Sequence, residues 1–136
     1  MARVYVSSTV VDLTEERRAV LDWLRLARHQ AVDSYLPDSD AVRDSCLDDV
    51  AACDLYVLIL GHRYGFQPPQ DNPEDLSITH LEFRRAGERG IPRWRCCAPA
   101  SPMCACPICR IRPGPRWCSR SEMRWPAWCA RQSSAT

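Results

Sequence analysis

The chain reads as an α/β protein: a three-layer sandwich with helices on both faces of a parallel sheet. Three features point there. Leu55-Tyr56-Val57-Leu58-Ile59-Leu60 is an unbroken apolar run, the mark of a central strand covered on both faces. Two stretches repeat apolar residues at helical spacing, one on either side of a second short strand candidate. Strand and helix signals alternate through residue 90, which is the order of a parallel sheet with crossover helices.

Arg3-Val4-Tyr5-Val6-Ser7-Ser8 begins the pattern as a short buried strand ending in small hydroxyl residues, with strand residues near 3–7. Asp12-Leu13-Thr14-Glu15 fits a capping box, with carboxylates in the first turn where the helix dipole favours them. Leu13, Val20, Trp23, Leu24 and Ala27 then define a helix over about 12–29. Ala31-Val32-Asp33-Ser34-Tyr35 is a second strand, stopped before Pro37. Asp38-Ser39-Asp40 opens a helix whose apolar face is Val42, Cys46, Leu47, Val50 and Cys53. The third strand occupies 55–60 and ends in the loop Gly61-His62-Arg63-Tyr64-Gly65. Pro68, Pro69 and Pro73 keep the following stretch irregular. Ser77 caps a third helix with Ile78, Leu81 and Phe83 on its inner side, closed near Gly90.

Composition divides the chain at residue 93. Residues 1–93 hold 11 arginines against 16 carboxylates, whereas 94–136 hold 7 arginines and only Glu122. Seven of the nine cysteines and four of the five tryptophans also lie in 94–136, which contains no Leu, Val, Phe or Tyr. Ile91-Pro92 should open a fourth strand, but Trp94-Arg95-Cys96-Cys97 follows where aliphatic residues are expected. The genetic code offers a reason. Trp is TGG and Cys is TGT or TGC, so a frame starting one base earlier reads NTG at each such position, encoding Leu, Val or Met. Residues from about 94 onward therefore read as out-of-frame translation: an irregular tail, no fourth strand beside Leu55–Leu60, no firm fifth strand, an open sheet edge and poor stability. The competing reading of the tail is a zinc site on Cys104, Cys106 and Cys109 with Cys118 or Cys129. Only Cys106 and Cys109 have CxxC spacing, however, and the tail has no His. No metal and no cofactor are expected.

The same composition narrows the function. No run approaches the 18 or so apolar residues of a membrane span, and Met1-Ala2-Arg3 leads straight into a strand with no secretory h-region. A cytoplasmic protein with reduced cysteines is expected. All 18 basic residues are Arg, consistent with a GC-rich gene, and a net charge of +1 leaves no footprint for nucleic acid.

In a doubly wound sheet, ligands sit beyond the C-terminal ends of the strands, where the strand order reverses. Ser7, Ser8 and Thr9 beside a helix N-terminus suit an anion such as a phosphate. Arg63 would add charge and Tyr64 a stacking face, while Glu82 could bind a ribose hydroxyl or face an oxocarbenium-like centre. Each has a plainer use: serines turn strands, glycines permit tight loops, tyrosines plug cores and a helical Glu pairs with a neighbouring Arg on a solvated face.

Several stretches together resemble one family. They are Val4-Tyr5-Val6-Ser7-Ser8-Thr9, Asp12-Leu13 with Glu15-Glu16-Arg17, and Cys46 through Cys53-Asp54-Leu55-Tyr56. Gly61-His62-Arg63-Tyr64-Gly65 and Ser77-Ile78-Thr79-His80-Leu81-Glu82-Phe83-Arg84-Arg85-Ala86 complete the pattern. Over residues 2–93 the chain is similar to the domain of unknown function family 4062, a relative of the Toll/interleukin-1 receptor (TIR) fold; His80 departs from the Glu more usual there. The resemblance implies a TIR- or flavodoxin-like domain, normally N-terminal in a longer multidomain protein. It implies a signalling module acting through protein partners or self-association. By analogy with TIR-type NADases and nucleoside deoxyribosyltransferases, the alternative is hydrolysis or transfer at the N-glycosidic bond of a nucleotide, using Glu82.

Overall fold

The computed structural model describes residues 1–33, 40–97 and 116–118. Its elements are β1 (Arg3–Ser7), α1 (Thr14–Leu26), β2 (Gln30–Val32), α2 (Asp40–Ala51), β3 (Leu55–Leu60), α3 (Ile78–Glu88), β4 (Arg93–Cys97) and β5 (Arg116–Cys118). The sheet order is β2-β1-β3-β4-β5. The first four strands are parallel, and β5 runs antiparallel against β4. The α/β sandwich expected from the sequence is therefore the fold.

Strand alternation sorts the core into two layers. Val4, Val6, Val57 and Ile59 face Leu13, Leu21 and Leu24 beside α1. Tyr5, Tyr56, Leu58 and Leu60 face the other way, toward Val50 and Cys53 of the α2 segment and Phe83 and Ala86 of α3. Chain direction explains the sides: β1 to β2 moves one way along the sheet and β2 to β3 to β4 the other. Right-handed crossovers then place α1 opposite α2 and α3.

Two expectations about β-structure are corrected. Arg93–Cys97 does form a fourth strand, in parallel register with β3 from Tyr56↔Arg93 to Leu60↔Cys97. The edge of β3 is therefore covered by β4, and Arg116–Cys118 supplies a short fifth strand against β4. The unpaired N–H and C=O groups along β3 need partners whatever side chains the partner carries. The side chains fit awkwardly: Trp94 is 46% exposed while Arg95 is only 8% exposed. Arg93 finds a place by laying its guanidinium over the Phe83 ring, 4.2 Å from the centroid.

Helix faces are also adjusted. No capping box forms at α1: the N-cap residue is Leu13, without a side-chain cap, and Thr9 Oγ1 donates to Asp12 Oδ1 at 2.6 Å instead. The buried side of α1 is Arg17, Leu21 and Leu24, leaving Trp23 half exposed. Ser77 caps α3 as expected, accepting the His80 N–H at 3.2 Å. The inner side of α3 is Thr79, Glu82, Phe83 and Ala86, with Ile78 and Leu81 half-buried. Among the described residues no helix is long and apolar enough to cross a membrane. Ser34, Tyr35, Val42's side chain and the tail cysteines other than Cys96, Cys97 and Cys118 lie outside the described structure.

Candidate functional site

The C-terminal ends of β1 and β3 meet where the strand order reverses, and two loops close on each other there. A Cβ on Gly61 would stand 2.9 Å from Asp12 Oδ2, and one on Gly65 3.0 Å from Thr9 Cγ2. Gly65 also holds a φ of 101°, a region open mainly to glycine. Both glycines let the β3–α3 loop lie against the β1–α1 loop.

Beneath this junction sits Glu82, in the second turn of α3 and only 5% exposed. Period-two alternation aims Tyr5 and Ser7 of β1 at it. Tyr5 Oη donates to Glu82 Oε1 at 2.7 Å, and Ser7 Oγ makes a short hydrogen bond to Oε2. Burial raises the Glu82 carboxyl above its usual range; hydrogen bonds from Ser7 and Tyr5, the charge of Arg17 and a contact from the Cys46 thiol oppose that rise. Tyr56 stacks on Tyr5 with ring centroids 5.8 Å apart and meets Phe83 edge-on, fixing the ring that holds the carboxyl. Burial, reinforced by the Glu82 charge, pushes the Tyr56 phenol well up, so it stays a neutral donor, 3.4 Å from the Thr79 carbonyl oxygen.

The other hydroxyls of the β1 end go to separate partners. Ser8 Oγ accepts from Arg17 at 2.9 Å, and the same guanidinium is in direct contact with Asp33 Oδ1, one residue past β2. Arg17 is 6% exposed, and its Nε is buried without a hydrogen-bond partner among the described residues. Thr9 is engaged with Asp12, whose Oδ2 is likewise buried and unpartnered among them.

Of the residues singled out in the sequence, the structure joins Ser7 to Glu82 directly. Ser8 and Thr9 lie on the adjoining loop, and Arg63 is exposed to solvent. Tyr64 is buried with the α2–α3 core and shares a 2.8 Å hydrogen bond with His80 Nδ1. Burial, helped by the Arg84 charge, lowers His80 to about 4, so the ring is neutral at ordinary pH. Glu82 is not on a solvated helix face. Sequence reasoning passed over Tyr5, Arg17, Asp33 and Cys46 as site residues. Tyr5 was the most accessible of these, because it lies two positions from Ser7 and so on the same strand face.

Among the described residues no group of three or more His, Cys, Asp or Glu side chains is placed to hold a metal ion. No curated protein matches the chain. Among solved structures it is similar to the CMP N-glycosidase BcmB of Clostridium botulinum, at 16% identity and a TM-score of 0.47, over 74% of this chain and 76% of that one. A likeness of that size carries nothing about function from one chain to the other. The family model of a domain of unknown function, DUF4062, matches residues 3–100, β1 through β4, and the chain belongs to that family.

Proposed function

We propose that this domain binds a nucleotide or nucleoside and acts on its N-glycosidic bond, with Glu82 as the catalytic carboxylate. One observation carries the reading: a carboxyl group buried at the ligand-binding end of a doubly wound sheet and gripped by two hydroxyls from β1. Burying a carboxyl costs several kcal/mol relative to apolar packing, roughly. Such groups concentrate where chemistry needs them. In the reaction the C1′–N bond breaks and its electron pair leaves with the base. The Glu82 carboxylate faces the positive charge developing at C1′, and water adds there, releasing its second proton to the base or to solvent. Tyr5 and Ser7 hold the carboxylate in one orientation, and the neighbouring Arg17 charge favours its ionised form.

The test follows free base from NAD and from ribonucleoside 5′-monophosphates. The protein should release base, faster as pH rises through the raised value of Glu82, and Glu82→Gln should lose at least about a hundredfold of that rate. No release from any of these substrates overturns the reading.

A second reading, a cytoplasmic TIR-like signalling module that works through protein contacts, is favoured by the surface of α1. Trp23 and Leu26 lie one turn apart, 50% and 83% exposed. Self-association or partner binding lost in Trp23→Ala, together with no base release even after forced oligomerisation, would favour this reading over the enzyme.

A further inference from the structure

Arg17, whose charge favours the ionised form of Glu82, also pairs with Asp33 at the same end of the sheet, with the guanidinium buried and the carboxylate part-exposed. The Arg17 guanidinium touches Ser8 Oγ and Asp33 Oδ1, and its Nε has no partner among the described residues. An ion pair with one partner this open to solvent adds little to stability. What it does provide is a fixed carboxylate. One oxygen of Asp33 is held by Arg17, and the side chain keeps 31% of its surface open. Because the pair carries no net charge, it is poorly suited to a phosphate. An oriented, part-exposed carboxylate instead suits hydroxyl donors.

Position supplies the second half. Ser7 holds Glu82 and the next residue, Ser8, holds Arg17, with about 3.8 Å between their Cα atoms. The Arg17 charge is felt at Glu82, which places the two clusters in one neighbourhood. A pentose lying across the end of β1 would therefore meet Glu82 on one side and the Arg17–Asp33 pair on the other.

We propose that Asp33, positioned by Arg17, receives the vicinal hydroxyls of a ribose and makes the site selective for ribonucleotides over 2′-deoxyribonucleotides. This rests on the reading of Glu82 as the carboxylate facing C1′.

Calorimetric titration with ribonucleoside 5′-monophosphates and their 2′-deoxy counterparts tests it, using the unaltered protein, Asp33→Asn and Glu82→Gln, each checked by thermal melting. The unaltered protein should bind the ribo form about tenfold or more tightly, as expected for a hydrogen bond to a charged group. Asp33→Asn should bring that ratio close to one and raise KM for the ribonucleotide more than it lowers kcat. Glu82→Gln should leave the ratio in place. Equal binding of both sugars by the unaltered protein overturns the proposal even if Asp33→Asn fails to fold, and so does a ratio that survives Asp33→Asn. Selective binding without base release keeps the ribose assignment and removes the catalytic one, base release without selectivity does the reverse, and binding of neither probe removes both.

Discussion

Toward α1 the sheet presents Val4, Val6, Val57 and Ile59 to Leu13, Leu21 and Leu24, and the one buried polar residue of α1, Arg17, reaches the end of β1 at Ser8. Toward α2 and α3 the same strands present Tyr5, Ser7 and Tyr56, and α3 answers with Glu82 as well as Phe83 and Ala86. Both faces are buried to a similar degree, so burial alone cannot account for the difference. The α1 face shows what holding the fold together requires. The opposite face carries a carboxyl and a network of hydroxyls that an apolar core would do without, and local departures of this kind are expected at functional sites.

That contrast breaks most easily at its apolar side. Leu24→Ala removes a side chain that is 2% exposed, and urea unfolding should show a loss of about 2–5 kcal/mol. The ribose-to-deoxyribose binding ratio of the surviving folded protein should not change. A smaller and opposite effect is expected at β4, the strand whose composition disagrees with its place. Replacing Trp94, Arg95, Cys96 and Cys97 by Leu, Ala, Val and Leu, as the shifted reading frame suggests, should raise stability by roughly 1–3 kcal/mol, about one to four buried methylene equivalents. A loss of stability, or a coding sequence whose shifted frame lacks an aliphatic run there, would show that β4 is native as it stands. The smallest effect belongs to His80. Its value in the fold lies below 6.5, at about 4, so the stabilisation from its neutral ring is complete above pH 6.5 and disappears as pH falls through about 4. His80→Asn should flatten the acid side of the stability curve across that window, and an unchanged curve would mean that the ring titrates normally.

Much of the fold was legible because side-chain pattern and tertiary role agree. The run Leu55–Leu60 is buried as a central strand should be, and Ser77 does cap α3. The fourth strand was hidden because backbone pairing to the edge of β3 outweighs the poor strand chemistry of Arg93–Cys97. At α1 the capping box gave way because Thr9 engages Asp12 before the helix begins. Ser7 and Glu82 could each be picked out in the sequence, but their contact across 75 positions could not, nor could the burial that separates Glu82 from an ordinary surface pair. Arg17 stood out in the sequence only within Glu15-Glu16-Arg17 of the family resemblance; its burial follows from the reach of a long side chain back over the ends of β1 and β2. The zinc reading of Cys104, Cys106 and Cys109 concerns residues outside the described structure.

The central claim is that Glu82 is buried for chemistry and not for packing, and one variant measured two ways tests it. Because the Glu82 carboxyl is raised in the fold, it stabilises the protein when protonated, at low pH, and that contribution fades as pH rises through its folded value. Glu82→Gln is neutral at every pH and nearly the same shape. At pH 7 its melting temperature should therefore equal or exceed that of the unaltered protein, while release of base from nucleotide is lost. A variant that melts several degrees lower yet releases base at the original rate would identify Glu82 as a structural lock and contradict the account.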